Sequence, residues 1–470
     1  MLKTAGVGFL IISAVLFALL AVVAVKTVKN KGCFIMLLIL CLFCLRSVAI
    51  INNTEKLEAL DGVSDTLEVT VIAPQSTPEQ SSFGSCTVRV NNSLYLEKNT
   101  KISLLMNGAQ TLSIGDEFTA NVTYQKIYGE YKYSFYSEGI YLWARVDSKY
   151  SSIGTQKGIY SLAGNVKKYI SGRVLNNTDN AHVLMALITG DRAYMSESFY
   201  DTVKAAGVSH ILVVSGMHLA IITIGIERVL RLIFKNEIVI NIMLLLCVFF
   251  MCILCSMSMS VMRAGIVYLV RAIYNMLGRN TSNIHCLALA ALTVIFIHPF
   301  ALYSLVFKLS YASTLGILVL PQLLDEKFKK YTQKSKILKG IADTLYVSVS
   351  AYILTIPICV GQFGYVSVVS ILVNLLVSLA TTYMLGFCVL AVVFGFAQFL
   401  EKLFFVLSDA LADYFIKIVN CFGNMQFSTL EIRNSNLLAA LLLVFYVTFY
   451  IILFKPYKLL NKRGGKIADR

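Results

Sequence analysis

A serine and two histidines interrupt the apolar run GVSHILVVSGMHLAII at residues 207–222. Ser215 and His218 are three residues apart, a spacing at which two side chains meet on one helical turn. Such a pair can act as nucleophile and base, so one interpretation is an intramembrane hydrolase. The local sequence VVSGM lacks the first glycine of the nucleophile-elbow pattern, and no partner acid is evident. We therefore expect no catalytic residue, no metal site and no cofactor.

The same stretch can instead line a path. On a helical wheel His210, Ser215 and His218 fall within about 140°, which leaves the other side apolar and predicts that the polar face looks inward. Gly216 permits close helix approach or local unwinding, which membrane helices tolerate where the backbone meets protein or water. The alternative is that the histidines are packing residues whose hydrogen bonds are satisfied.

Cations occur in the membrane-like segments without nearby acids. Residues 238–324 include no Asp or Glu, yet Arg263, Arg271 and Lys308 lie in or against apolar runs. A cation at membrane depth normally faces a partner or a wet cavity. One interpretation is a positively lined path for an anion. The alternative is that these side chains snorkel to the interface or pair with an acid from another segment, such as Asp191.

The bulk composition predicts the elements that position these residues. The chain has 470 residues, 57% apolar and 14% charged, with a net charge of +15, and its apolar runs reach membrane-spanning length. We predict a polytopic α-helical membrane protein of about ten spans, whose basic clusters face the cytoplasm. Eleven cysteines lie mostly within the apolar runs and are expected to be buried thiols. The predicted parts are two N-terminal spans in 1–51, an extracytoplasmic insert at 60–150, amphipathic interfacial helices at 151–206, a transmembrane channel domain at 207–456 and a basic cytoplasmic tail at 457–470.

The polar insert alternates short apolar runs with turn residues, which predicts a small β-barrel or sandwich. Its last third interleaves aromatic and basic residues. Such a surface can bind single-stranded nucleic acid, because bases stack on the rings and phosphates pair with the cations. The alternative is a pair of strands rich in ordinary aromatic β-formers with solvated lysines. The candidate contacts are Tyr124, Lys126, Tyr128, Tyr131, Lys132, Tyr133 and Phe135.

A longer motif resembles a known family. The run ALITGDRAYMSESFYDTVKAAGVSHILVVSGMHLAII at 186–222 is similar to the signature of the ComEC family of competence proteins, the inner-membrane DNA uptake channel. Similar stretches follow in family order: SVMRAGIVYLV from Ser260, HPFALYSLVFKLSYASTLGI from His298 and IPICVGQFGYVSVVSILVNLL from Ile356. The resemblance adds Asp191, Arg192 and Asn374 to the candidate path.

What the resemblance implies is import of single-stranded DNA during transformation. The insert would be an oligonucleotide-binding (OB) type barrel, and the expected partners are an extracytoplasmic DNA receptor, a cytoplasmic DNA-translocating ATPase and membrane lipid. Many members continue into a metallo-β-lactamase-like domain, whereas this sequence stops at Arg470 after a basic tail, so we expect a short form and possible use of a separate nuclease. Lys308 replaces an expected neutral residue, and no proline follows Asn374. The remaining alternative is a transporter of a small anionic metabolite.

Overall fold

The computed structural model divides the chain into a barrel unit and a helical unit. The barrel unit comprises residues up to Pro74, Phe83–Gln156 and Leu292–Ser304, and the helical unit comprises most of the remainder. Three predicted features lie outside the described residues: the first span at 5–25, Tyr131 and the tail at 457–470. The structure describes residues 31–74, 83–107, 112–129, 132–147, 150–155, 158–332, 336–432 and a few positions in 437–444.

Six strands form the sheet of the barrel unit, and five of them close into a barrel. The order is β1-β2-β3-β5-β4 with β4 pairing back to β1, while β6 joins the free edge of β4. Strand β3 runs parallel to β5 and the other pairs are antiparallel. The predicted small barrel is thereby confirmed. The strands are β1 Ser64–Ala73, β2 Phe83–Asn92, β3 Lys101–Asn107, β4 Asp116–Gln125, β5 Trp143–Val146 and β6 Ser151–Thr155.

Alternation along the strands builds the barrel core. In β1 the side chains of Leu67, Val69 and Val71 are fully buried, because residues two apart point to the same face of a strand. The preceding helix α1, Lys31–Glu58, also enters this core through Leu57. Its 28 residues give a length of about 42 Å at 1.5 Å per residue, longer than the membrane core of about 30 Å. The apolar-to-polar change after residue 51 therefore does not mark the end of the helix.

The aromatic segment before β5 is not the strand that its alternation suggested. Residues Lys132–Ser137 form a short helix, α2, because packing places Tyr136 in a small cluster with Ile127 and Ile140. The segment 292–304 belongs to this unit and contributes further rings, since Phe300 contacts Tyr136 with centroids 5.3 Å apart. Tertiary contacts thus override the local strand propensity.

The helical unit begins with three helices and continues with longer ones. Among the described residues, four helices are long and apolar enough to cross a membrane: Ser209–Ile233, Glu237–Leu254, Ala342–Phe363 and Ser370–Val393. Two shorter apolar helices are Asn283–Ile297 and Leu305–Val319. The figure of about ten spans remains a prediction. The helices are α3 Ile159–Asn177, α4 Ala181–Thr189, α5 Glu197–Ala205, α6 Gly216–Ile233, α7 Glu237–Leu254, α8 Met259–Met276, α9 Asn283–Ile297, α10 Leu305–Thr332, α11 Lys336–Phe363, α12 Ser370–Val393 and α13 Gln398–Gly423.

The predicted amphipathic helix is α3, and two of its cations form ion pairs within the helical unit. Lys167 Nζ lies 2.8 Å from Asp191 Oδ2, and Arg173 Nη1 lies 3.0 Å from Glu401 Oε2. Glu401 is buried on α13, so the Arg173 pair fixes one helix against the other. The position of α3 at a membrane interface stays a prediction.

Candidate functional site

The stretch that precedes α6 is locked by a glycine turn. Gly207 has φ of +74°, and a Cβ atom there would lie 2.4 Å from Ser370 Cβ. Ser370 Oγ donates a 3.0 Å hydrogen bond to the Gly207 carbonyl, and Ser367 Oγ donates to the Ala205 carbonyl at 2.7 Å. Only glycine combines this backbone conformation with such close approach. The turn holds the start of α6 beside the start of α12.

Ser215 and His218 form a capping box at the start of α6. Ser215 Oγ accepts a hydrogen bond from the backbone N–H of Met217 at 3.2 Å. The Ser215 backbone N–H donates to His218 Nδ1 at 2.8 Å, and Ser215 Oγ lies 3.0 Å from the same nitrogen. The predicted meeting of these two side chains is observed. It satisfies backbone donors that a helix N-terminus otherwise leaves without partners.

This geometry argues against a nucleophile–base pair. A histidine that activates a serine must offer the lone pair of a ring nitrogen to the hydroxyl proton. In His218 the lone pair of Nδ1 already accepts the Ser215 backbone N–H. The Ser215 hydroxyl therefore competes with its own backbone for the only nitrogen it can reach.

Arg263 of α8 lies where α6, α8 and α10 meet. Its Nη1 donates to Thr314 Oγ1 at 2.7 Å, and its guanidinium carbon lies 5.8 Å from the ring centre of Tyr311. Its Nη2 lies 3.1 Å from the position that a Cβ atom on Gly216 would occupy. No carboxylate lies within ion-pair distance of Arg263 in the described part of the chain. We call this place, defined by Gly216, Arg263, Tyr311 and Thr314, the arginine junction.

His210 and Asn374 lie beside the capping box. His210 interacts with the side chain of Asn374 and with the backbone of Gly207, and it is close enough to His218 for the two rings to interact electrostatically. Asn374 Nδ2 also donates to Ser348 Oγ of α11 at 2.7 Å. A polar group thus continues from the capping box to α11 and α12.

The remaining candidates of the helical unit lie elsewhere or have local partners. Arg192 Nη1 donates to Tyr200 OH at 2.7 Å, and Asp191 forms the ion pair with α3 already described. Arg271 donates to Asn283, and its position is about 12 Å along α8 from Arg263, at 1.5 Å per residue. Lys308 is exposed on α10. The structure therefore brings one set of candidates together and leaves Arg271 and Lys308 apart from it. The set is His210, Ser215, Gly216, His218, Arg263 and Asn374.

The basic candidates of the barrel unit share one buried carboxylate. Glu58, at the end of α1, has its oxygens 2.6 Å from Lys126 Nζ and 2.6 Å from Lys132 Nζ. Tyr136 OH donates to the same carboxylate at 2.5 Å. The hydrogen bond to Glu58 raises the pKa of Lys126, which keeps that ammonium charged and paired. Both lysines are therefore already paired in the barrel unit, where the single carboxylate balances one of their two positive charges.

The aromatic candidates differ in accessibility. Tyr128 and Tyr133 are 64% and 44% exposed, whereas the ring of Tyr124 is fully buried in the barrel core. Tyr124 OH donates to Asp65 at 2.7 Å, and the ring of Phe135 packs edge-on against Trp143. Tyr124 consequently presents no free face on which a base could stack. Among the described candidates Tyr128 is the most exposed ring, whereas Tyr133 already stacks one face on Tyr303 with centroids 4.8 Å apart.

Sequence reasoning missed the residues that decide which cations are free. Glu58 follows the last apolar residues of a span and looks like one of several solvated acids. Thr314 lies in a small polar run of α10, with no spacing that signals contact with Arg263. A better signal existed for the glycine turn, since KAAGVSH has the helix-ending glycine typical of a left-handed cap.

Comparison with known proteins identifies the family of the chain. A family model described as competence protein matches residues 187–458, more than half of the chain. The chain belongs to the competence protein family. ComE operon protein 3 of Bacillus subtilis (strain 168) is 23% identical over 284 residues, which cover 58% of this chain and 34% of the relative. The matched region thus spans about a third of the length of that relative. No solved structure matches the chain.

The residues matched by the family model include all four candidate spans. These apolar helices identify this competence protein as a membrane protein. The family match begins at residue 187, so it includes the arginine junction and the capping box but excludes the barrel strands.

Proposed function

We propose that this competence protein conducts single-stranded DNA across the cytoplasmic membrane. The observation that carries the proposal is Arg263, an arginine between apolar helices that is held by a neutral hydroxyl instead of a carboxylate. An arginine at membrane depth is retained at a high energetic cost and marks an ion or substrate pathway. In a protein of the DNA uptake family, the anion that fits this cation is the phosphodiester backbone.

The proposed orientation follows from the alternation of the spans. Helices α6, α8, α10 and α12 begin at one end of the helical unit if successive spans cross in opposite directions. Basic residues such as Arg231, Arg271 and Lys329 lie toward the other ends of these helices. The positive-inside rule then assigns those ends to the cytoplasm and the arginine junction to the outer half of the membrane.

The barrel unit would receive DNA on the outer side. A closed five-stranded barrel agrees with the OB type that the family resemblance implies, and OB-type barrels bind single strands by stacking and charge. Tyr128 and Tyr133 are the exposed aromatic contacts that we propose here. An extracytoplasmic DNA receptor, a cytoplasmic DNA-translocating ATPase and a separate nuclease are the proposed partners, since no enzymatic step is assigned to this chain.

Complementation tests the proposal directly. A naturally transformable strain that lacks its own competence channel is given this chain, and internalised radiolabelled DNA is separated from surface-bound DNA by nuclease treatment. We expect restored internalisation of one strand. Restored DNA binding at the surface without internalisation would contradict the proposal. Transport of small organic anions by purified protein in vesicles, with no protection of DNA, would favour the metabolite transporter instead.

A further inference from the structure

The three helices that meet at the arginine junction carry most of the buried polar atoms without hydrogen-bond partners. Five such side-chain atoms occur in the described part of the chain, and four of them belong to α6, α8 or α10 and their caps. Native proteins pair nearly all buried polar atoms with protein, water or ligand. Four such atoms on three neighbouring helices, two of them on Arg263 and Tyr311, which are in contact, therefore point to a missing binding partner. The four atoms are His218 Nε2, Ser258 Oγ, Arg263 Nε and Tyr311 OH.

All four unpartnered groups can donate a hydrogen. Because Nδ1 of neutral His218 accepts the Ser215 backbone N–H, the ring proton must be on Nε2. Arg263 Nε is a donor only, and the hydroxyls of Ser258 and Tyr311 rotate to donate. No carboxylate of the described residues pairs with the guanidinium. A set of donors without an acidic side chain is complementary to an anion that has several oxygens, and not to a cation.

The present partner of the guanidinium is weak enough to be replaced. Thr314 Oγ1 is neutral, and its own proton is donated to the Ser310 carbonyl at 2.8 Å. An anionic oxygen forms a shorter and stronger bond to arginine than a neutral hydroxyl does. Gly216 adds the positive end of the α6 dipole on the same side, because it is the first residue of that helix.

We propose that the arginine junction holds one phosphodiester of the transported strand, which displaces Arg263 from Thr314 as it enters. This inference rests on the proposed function and specifies the group that is recognised. The donors contact the backbone phosphate and leave the bases without partners, so transport is independent of base sequence. Each phosphate leaves when the next arrives, and Arg263 returns to Thr314 when no strand is present.

A pair of isosteric substitutions tests the displacement. Thr314→Asp places a permanent carboxylate beside Arg263, whereas Thr314→Asn has the same shape without the charge. We expect Thr314→Asp to lower the initial rate of DNA internalisation at limiting DNA by about tenfold or more, because an internal anion competes with phosphate. Thr314→Asn should stay within about threefold of wild type, because a neutral amide is as replaceable as the hydroxyl. Protein abundance in the membrane is measured for both.

A purely structural role for Arg263 predicts the opposite ranking. In that case Thr314→Asp completes an ion pair and is tolerated at least as well as Thr314→Asn, a result that would overturn the inference. Equal rates for the two variants would indicate that water alone fills the junction, and would overturn it as well. If the wild-type chain fails to restore internalisation, the proposed function fails first, so the two failures are distinguishable.

Tyr311→Phe provides a second measurement that does not depend on the folding of the Thr314→Asp variant. The Tyr311 hydroxyl has no partner in the protein, so its removal should leave thermal stability in detergent unchanged. The phosphodiester site predicts an internalisation rate reduced by about tenfold or more, because one donor to a charged group is lost. An unchanged rate for Tyr311→Phe would remove the hydroxyl from the site and contradict the inference.

Discussion

The sequence suggests the same role, binding an anion, for the lysines of the barrel unit and for the arginine of the arginine junction. The structure gives these two kinds of cation different partners. Lys126 and Lys132 both contact the buried carboxylate of Glu58. Arg263 contacts a threonine hydroxyl and the face of a tyrosine ring. Both lysines of the barrel unit are thus paired with a carboxylate, whereas the arginine among apolar helices is not.

The reason is where the acids are. Glu58 is 7% exposed, and a buried carboxylate requires a paired cation or hydrogen-bond donors. It therefore pairs with the cations that lie nearby. The helical stretch 238–324 has no acid of its own, so only another segment could neutralise Arg263. The availability of a cation for DNA therefore depends on the location of acids, and an aromatic and basic composition is not a sufficient guide.

The largest expected effect comes from closing the arginine junction. Gly216→Leu should lower DNA internalisation by about a hundredfold or more, because its Cβ would lie 3.1 Å from Arg263 Nη2 and 3.3 Å from Ala264 Cβ. The matched control is Gly225→Leu on the same helix, where a Cβ would meet nothing within 4 Å. Internalised DNA and membrane protein level are measured together.

In the same experiment, Ser215→Ala is expected to have a much smaller effect on DNA internalisation. It removes a cap that contributes about 1 kcal/mol and should leave most of the uptake intact. If Ser215→Ala abolishes uptake while the protein stays folded, a chemical role for Ser215 must replace the conduit interpretation. Equal damage from Gly216→Leu and Gly225→Leu would show that the junction is not a narrow point.

Parts of this picture could be read from the sequence. Alternation in TLEVTVIA predicts a barrel strand, and in the structure one face of β1 is buried. The glycine of KAAGVSH predicts a turn, and in the structure Gly207 has a positive φ. The position of α2 could not be predicted, since its aromatic residues suit a strand and only packing selects the helix. The Glu58 pairs and the Arg263–Thr314 contact join residues 68, 74 and 51 positions apart, which no local pattern encodes.

The next effect concerns stability in the barrel unit. Glu58→Gln should lower the free energy of unfolding of the full chain in detergent by about 2 kcal/mol, because hydrogen bonds to a charged acceptor contribute about 1.5–3 kcal/mol each and part of that is recovered by the amide. Glu55→Gln, one turn earlier and exposed, is the control and should stay within about 0.5 kcal/mol of wild type. Chemical denaturation followed by tryptophan fluorescence measures both. Equal stability of the two variants would mean that the Glu58 pairs contribute nothing.

A smaller and more selective effect separates the two kinds of tyrosine. Tyr128→Ala should weaken binding of a short single-stranded oligonucleotide by about 1 kcal/mol without a change in stability, because an exposed stacking face is lost. Tyr124→Phe should do the reverse, since it removes the hydrogen bonds of the hydroxyl to Asp65 and Ser93 and lowers stability by about 1 kcal/mol. Fluorescence anisotropy and thermal unfolding of the full chain distinguish them. Loss of affinity in Tyr124→Phe alone would show that the barrel binds DNA through a rearranged core.

The smallest expected effect is a change in salt dependence, and it tests the comparison most directly. For single strands the slope of log K against log salt changes by about 0.7 for each phosphate neutralised by a cation. Lys126 and Lys132 together contribute no more than about one unbalanced charge to that slope while Glu58 holds them, because the carboxylate balances one of the two ammonium charges. Glu58→Gln removes that negative charge, so the slope should steepen by about 0.7, and affinity at low salt should rise.

The titration uses the full chain with Arg263→Gln present in every sample, which leaves the barrel unit as the responding surface. Adding Lys126→Gln and Lys132→Gln should then make the slope shallower by about 1.4, at about 0.7 for each cation. If Glu58→Gln leaves the slope unchanged, and replacing both lysines with Glu58 intact lowers it by about 1.4, DNA displaces Glu58 and both barrel cations are available after all.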